Sequence, residues 1–346
     1  MWKGRTVVFC AAALICGNFF GGWITLYPIV YCILSVVFSF ISLFCRKRAI
    51  LFLAMLFLGA ASLQTERIPG NRHESLISQK ASSLKNDFSD YLETIIQDDE
   101  ELSILKALAI GEKSDIDKEL KNGYKKSGTM HLLALSGLHV GIIYVIISSL
   151  LSLSGGNRIM KVTKSCVILL FLWGFAIITG LSSSIFRSVL MITMYEVSSL
   201  ISSDKDGPGA LAASAIIITI LNPESPRDIG FQLSYSAVIS IYTIYPYLKR
   251  LLNARTSVMK YLWNTLAMTI SCQIGTGLIS YYYFRSFPIY FMLANLLSIP
   301  LMSVVMYLIA AALIFSKIPA IGATIAVVLK EVIHILNQIM LVISNL

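Results

Sequence analysis

Residues 289–315 run for 27 positions without a charged side chain. A stretch of that length crosses the hydrocarbon core of a bilayer as a helix, which needs about 20 apolar residues. Comparable runs recur along the chain, at about 6–20, 24–44, 50–63, 131–153, 166–181, 185–201, 209–221, 229–247, 261–284 and 320–346. They are continuous rather than alternating, so backbone polar groups must be satisfied within helices and not in a closed barrel. The expected fold class is therefore all-α, a polytopic integral membrane protein with about eleven transmembrane helices. Composition agrees: 56% of residues are hydrophobic and 14% charged, where a soluble domain has about a quarter charged.

Loop charges set the orientation. Lys3, Arg5 and Arg46-Lys47-Arg48 place both of their ends in the cytoplasm. The third run, 50–63, then delivers the chain to the outside. Arg158, Lys161, Lys164, Lys205, Lys249, Arg250, Arg255, Lys260 and Lys317 fall in loops expected inside, and the short outer loops carry only Arg227 and Arg285. The net charge of +9 is thus mostly an orientation signal and weak evidence for nucleic acid. The first run follows Lys3 and Arg5 as a signal peptide would. More apolar runs follow at once, so it is expected to remain as an uncleaved first span. The six cysteines lie in or beside apolar runs, without CxxC or metal spacing, and read as small apolar filler.

Three segments result: 1–65 with three N-terminal spans, a polar extracytoplasmic segment 66–130, and a transmembrane domain 131–346. Residues 74–98 carry weak helical patterning. Leu102, Leu105 and Leu108 mark an amphipathic helix that ends at Gly111. Ser114 and Asp117 resemble a capping box for a helix over about 115–126. These helices are expected at the outer membrane surface.

Polar residues at membrane depth are the candidates for function. Thr129 to Gly141 opens an apolar run yet holds His131, Ser136, Gly137 and His139. No third ligand of suitable type stands near the two histidines, so they read as hydrogen-bonded members of a polar seam rather than a zinc pair. Arg187 lies about one turn below the outer surface, either snorkelling or facing a wet cavity where it meets an anion. Gln232 and Ser234 lie on the run 229–247, and Asn295 on the run 289–315. Gly275, Gly277 and Pro300 are expected to loosen or break their helices. Lys330, Glu331 and His334 in the last run read as an ion pair or snorkelling set, or as the mark of an interfacial helix. No internal repeat is evident, which argues against an inverted-repeat transporter.

His131-Leu-Leu-Ala-Leu-Ser-Gly-Leu-His-Val-Gly141 closely resembles the signature of ComEC-type competence proteins. Lys106-Ala-Leu-Ala-Ile-Gly111, Ser184-Ile-Phe-Arg187-Ser-Val-Leu-Met191, Asn222-Pro223 with Asp228-Ile-Gly-Phe-Gln-Leu-Ser-Tyr-Ser236, and Asn295-Leu-Leu-Ser-Ile-Pro300 resemble further family segments in the same order. The resemblance implies an inner-membrane channel admitting one strand of transforming DNA to the cytoplasm. His131, Ser136, Gly137, His139, Arg187, Gln232, Ser234 and Asn295 would line or shape the path. The partners implied are single-stranded DNA, membrane lipids and, as separate proteins, a nuclease, a DNA receptor and a cytoplasmic motor. Relatives often carry an OB-like domain after the third span and a terminal metallo-β-lactamase-like domain. Here residues 66–101 are too few for a five-stranded barrel, and no HxHxDH run occurs. No catalytic residue, cofactor or metal is expected in this chain. Two rival readings are a transporter of a small anionic solute or nucleotide, and a non-conducting assembly protein or relic.

Overall fold

The computed structural model describes residues 4–20, 28–45, 48–65, 76–151, 158–201, 206–252, 256–285, 290–315 and 318–345. Among the described residues the regular structure is helical, without strands. The helices are α1 (Gly4–Phe20), α2 (Pro28–Cys45), α3 (Arg48–Thr65), α4 (Leu76–Ile95), α5 (Asp99–Ile110), α6 (Lys118–Lys126), α7 (Met130–Leu133), α8 (Gly137–Leu150), α9 (Arg158–Ile178), α10 (Ser183–Ile201), α11 (Gly207–Leu221), α12 (Ile229–Thr243), α13 (Tyr245–Arg250), α14 (Ser257–Phe284), α15 (Phe291–Phe315) and α16 (Pro319–Ser344). Four of them, α9, α10, α15 and α16, are long and apolar enough to cross a membrane among the described residues, and shorter apolar helices cover 6–19, 51–62, 137–150 and 207–221. The protein is an all-helical membrane protein; the expected eleven crossings exceed the four helices that meet the length and hydropathy needed.

The chain forms two compact units, one of residues 1–73 and 187–235, the other of 74–186 and 236–346. In the first unit α1 lies against α3 at backbone distance. A Cβ on Gly17 would overlap the Leu56 carbonyl, and one on Gly59 the Leu14 carbonyl. Ala54, Ala60 and Ala61 are buried beside them. Small residues let helix backbones meet where lipid removes the hydrophobic drive to associate. Ser35 of α2 donates to the Ala54 carbonyl at 3.0 Å, and Phe38 stacks on Phe57 at 5.5 Å. Helix α11 also packs on α1, and its buried face is again mostly small: Ala210, Ala212, Ser214, Ala215 and Thr219.

The second unit has one apolar core built from α4, α5, α6, α8, α15 and α16. Helix α5 is enclosed along most of its length, with Ile104, Leu105, Ala107 and Leu108 fully buried. It ends as its sequence requires: Gly111 takes φ 74° and its N–H returns to the Ala107 carbonyl at 3.1 Å. Helix α6 begins later than the expected 115. Asp117, not Ser114, caps it, accepting from the Glu119 N–H at 2.7 Å. The segment holding α4, α5 and α6 is therefore not a layer lying loosely on a surface. Leu92, Ile96, Leu120 and Tyr124 join α5 in the same core as Met302, Val305, Leu329 and Ile333.

Candidate functional site

In the first unit the polar groups converge on the turn between α11 and α12. This turn contains a 3₁₀ segment, Ser225–Arg227. Asn18, near the end of α1, donates to the Pro223 carbonyl at 2.8 Å. Arg227 donates to the Asn18 carbonyl at 3.0 Å and its guanidinium lies 5.6 Å from the Phe19 ring centre. Gln232 turns back and donates to the Pro226 carbonyl at 3.1 Å. These bonds fix the turn against α1 and α12.

Arg187 meets this turn from α10. Its Nη1 donates to Asp228 Oδ2 at 3.3 Å, with its side chain 8% exposed and that of Asp228 52% exposed. The same carboxylate oxygen accepts from the Phe231 N–H at 3.0 Å, capping α12. Gly230 makes room for the guanidinium: a Cβ there would lie 2.8 Å from Arg187 Nη2 and 3.0 Å from Asp228 Oδ2. Arg187 Nε is buried without a hydrogen-bond partner among the described residues. A buried cation with one single-point ion pair among the described residues is under-satisfied by the usual standard for such groups. Tyr235 extends the cluster, its hydroxyl 3.0 Å from Ser214 Oγ, while Ser234 is half-buried.

In the second unit the run expected to start at His131 as one helix breaks at 134–136. Helix α7 stops at Leu133, Ser136 is extended at φ −132° and ψ 171°, and α8 restarts at Gly137, which is exposed. The reason is a reciprocal cap. The Ser136 N–H donates to His139 Nδ1 at 3.3 Å, and Ser136 Oγ lies 3.1 Å from the same nitrogen. Nδ1 therefore accepts and Nε2 carries the proton. That Nε2 is buried without a partner among the described residues. His131 has the other tautomer: it is exposed, and its Nδ1 donates to the Gly128 carbonyl at 3.1 Å.

Asn295 and Ser298 lie one turn apart on the buried stripe of α15 with Ala294, Met302 and Val305. Asn295 Oδ1 and Ser298 Oγ have no partner among the described residues. The expected helix breaks are not breaks. Helix α14 continues through Gly275 and Gly277, and α15 through Pro300. At Gly275 the missing side chain serves close packing instead, because a Cβ would overlap Ser240 Oγ and lie 2.8 Å from the Ser236 carbonyl. At Pro300 the lost N–H removes one helical bond, and the buried stripe on both sides holds the axis together. Thus Arg187 and Gln232 meet at one turn, and Ser136 and His139 at one cap; His131 and Ser234 join neither.

A family model described as "Competence protein" matches residues 108–346. The chain belongs to the competence protein family. This competence protein is 29% identical over 224 residues to "ComE operon protein 3" of Bacillus subtilis (strain 168), covering 64% of this chain and 27% of that one. It is 22% identical over 259 residues to "Uncharacterized protein YcaI" of Escherichia coli (strain K12), covering 70% of this chain and 33% of that one. The chain spans about a quarter to a third of the length of these relatives. No solved structure matches. The matched region of this competence protein contains both the Ser136–His139 cap and the Arg187–Asp228 pair.

A second polar contact in this competence protein joins α16 to the start of α5. Lys330 and His334 do not pair within α16. Lys330 Nζ lies 2.5 Å from Asp98 Oδ2, and His334 Nδ1 lies 2.9 Å from Glu101 Oε1, both at the start of α5. Asn337, one turn on, accepts from the Tyr124 hydroxyl at 2.9 Å and donates to Glu100 Oε1 at 3.4 Å. The spacing 330, 334, 337 is one helix face and was legible as such; its partners, more than 200 residues away, were not. A hollow of about 500 Å³ near α4 and α5 is lined by Glu93, Asp99, Lys106 and Asp115. Its ammonium is already matched, with Lys106 Nζ 2.7 Å from Glu93 Oε1, and that hydrogen bond holds Lys106 above the ordinary lysine range.

Proposed function

We propose that this chain forms part of an inner-membrane channel that passes single-stranded DNA into the cytoplasm during natural transformation. The proposal includes a cytoplasmic N-terminus, an extracytoplasmic segment 66–130, and nuclease, receptor and motor functions supplied by other proteins. The reading treats the chain as a conduit and not as an enzyme. Family membership supports a role in DNA uptake. The observation that carries the conduit reading is the under-satisfied Arg187 at a turn that the neutral Gln232 also meets, with the Tyr235–Ser214 hydroxyl pair in the same unit.

A polyanion cannot enter hydrocarbon and needs a wet, protein-lined way through. Many cations would hold the strand, since each phosphate neutralised strengthens binding. A sparse set of cations among neutral groups attracts the strand and still releases it. The eight residues named from the sequence, seven polar and Gly137, belong to this reading as pathway candidates, with His139 and Ser136 shaping the chain at the α7–α8 break.

The test is uptake of labelled DNA by cells carrying Arg187→Leu. Uptake is expected to fall while the amount of protein inserted in the membrane stays the same. Unchanged uptake removes Arg187 from the pathway. Purified protein in liposomes separates the rival transport reading: strand passage supports the channel, and flux of mononucleotides without strand passage overturns it.

A further inference from the structure

Arg187 is buried, yet its partner is half exposed, so the Asp228 side chain is the outer cover of the guanidinium. Among the described residues the contact is a single one at 3.3 Å, longer than the roughly 2.7–2.9 Å of a strong charge-assisted bond and without the forked, two-point match that arginine makes when locked to an acid. The buried Nε on the same guanidinium has no acceptor among the described residues. The Phe231 N–H at the start of the 15-residue α12 also points at this carboxylate. A helix start and a guanidinium are the two groups proteins use most readily for phosphate. Gly230 leaves the space beside them open, since any Cβ would crowd both Arg187 and Asp228.

We propose that Arg187, with the first turn of α12, is a phosphodiester-binding site whose resting ligand is the chain's own Asp228, and that a strand phosphate exchanges with that carboxylate. This deepens the conduction reading and rests on it for the identity of the ligand. The exchange breaks and makes only ion-pair and hydrogen-bond contacts. Asp228 swings to solvent, which its half-exposed side chain permits, and the phosphate takes over Arg187 and the Phe231 N–H. When the phosphate moves on, Asp228 returns. The pairing keeps a buried cation neutralised between phosphates and limits how tightly each one is held.

The exchange has a salt signature. A phosphate that meets a free arginine releases a counterion, steepening the salt dependence of single-strand binding by about 0.7 in the log–log slope. A phosphate that displaces a carboxylate must break the Arg187–Asp228 pair, which salt also weakens, so rising salt opposes binding less and the slope is shallower. Asp228→Asn removes the competitor and keeps the cap of α12, since asparagine caps as well as aspartate.

The experiment is equilibrium binding of a fluorescent oligothymidylate to the full chain in phosphatidylcholine nanodiscs across a salt series. Asp228→Asn is expected to bind roughly three- to tenfold tighter, in keeping with a partly exposed ion pair, and with a slope steeper by about 0.7. Arg187→Gln is expected to bind more weakly and to abolish the effect of Asp228→Asn. If Arg187→Gln does not fold, Arg187→Lys, which keeps the charge and loses the fork, is expected to bind the strand more weakly in the Asp228→Asn background. An Asp228→Asn protein with unchanged affinity and slope overturns the exchange, as does a gain that persists without Arg187. Competing inorganic phosphate and nanodiscs containing phosphatidylglycerol separate the possible sources of the phosphate. Loss of the Asp228→Asn gain in phosphatidylglycerol alone assigns the site to a lipid headgroup and overturns the strand assignment. Liposome passage reads the conduction proposal separately: passage with an unchanged Asp228→Asn slope overturns exchange alone, and strand binding with no passage overturns conduction alone.

Discussion

Tyr124 and Asn337 form a fully enclosed side-chain hydrogen bond in the second unit, 2.9 Å long with both residues buried. Burial, aided by the charge of Glu100, pushes the Tyr124 phenol above its ordinary range. Removing its hydroxyl leaves the Asn337 acceptor buried without a donor, which costs about 1–3 kcal/mol. Tyr124→Phe is therefore expected to lower the thermal midpoint of the purified protein by several degrees. Adding Asn337→Leu is expected to recover much of that loss, because both partners are then apolar. The pH dependence follows from the same group. A raised folded pKa means that the tyrosine's contribution is fully present below the ordinary value of about 10 and is lost as pH rises through the folded value. The stability gap between the natural protein and Tyr124→Phe is expected to be constant from neutral pH to about 9 and to narrow above about 10. Thermal unfolding of both proteins across that range measures it. At this scale the sequence shows which residues are unusual but not whom they meet. Arg187 stands out as a cation in an apolar run, whereas Asp228, 41 residues later, looks like an ordinary loop acid. Only the fold makes them partners.

Helix contacts in the first unit depend on the absence of side chains. Gly17 and Gly59 each abut a backbone carbonyl of the other helix, and neither Leu56 nor Leu14 can move its carbonyl without unwinding a turn. Gly17→Ala and Gly59→Ala are each expected to destabilise the α1–α3 pair more than Gly174→Ala in α9, where a Cβ meets nothing. The measure is the temperature at which detergent-solubilised protein aggregates; equal shifts for all three variants would contradict the packing. Most helix positions were legible from the apolar runs, and α1, α3, α10, α11 and α15 fall within two residues of the expected bounds. What composition could not show was the use of each glycine and proline. The Ser136-Gly137 pair does mark a break, because His139 completes the cap that starts α8 there. Gly275 and Pro300 carry the same helix-weakening chemistry, yet their helices continue through them with packed neighbours opposite. Helix-breaking tendency is worth about 1 kcal/mol for glycine and about 3 for proline, and contacts across a helix face outweigh it or not according to what lies opposite.

At the scale of the molecule the last helix sets a question that hydropathy answers one way and contacts another. Helix α16 is long and apolar enough to cross a bilayer. Its middle, however, carries Lys330, Glu331, His334, Asn337 and Gln338, with Glu331, His334 and Gln338 exposed. Charged groups at the centre of a span cost several kcal/mol each unless they face protein or water. Here Lys330 and His334 reach Asp98 and Glu101 at the open, acidic start of α5. The opposite stripe, Leu329, Ile333, Leu336, Met340 and Ile343, is buried in the core shared with α5, α6 and α15. The same layer reaches the far end of α15, where the Tyr91 hydroxyl donates to the Ala312 carbonyl at 3.1 Å, and the α4 residues around Tyr91 include exposed Asp90, Glu93 and Thr94. The end of α15 therefore shares a boundary with α4, whereas loop charges alone lead one to expect Lys317 inside and the segment 66–130 outside. A helix lying along that boundary, with its apolar residues in protein and lipid headgroups and its polar residues in water, reconciles α16 with its contacts. In a cysteine-free background, Glu331→Cys and Gln338→Cys are then expected to react with a membrane-impermeant maleimide from the same side as Lys118→Cys on α6. A spanning α16 gives the opposite pattern, with both mid-helix positions unreactive in intact cells and in inverted vesicles, and would return the helix to the bilayer interior.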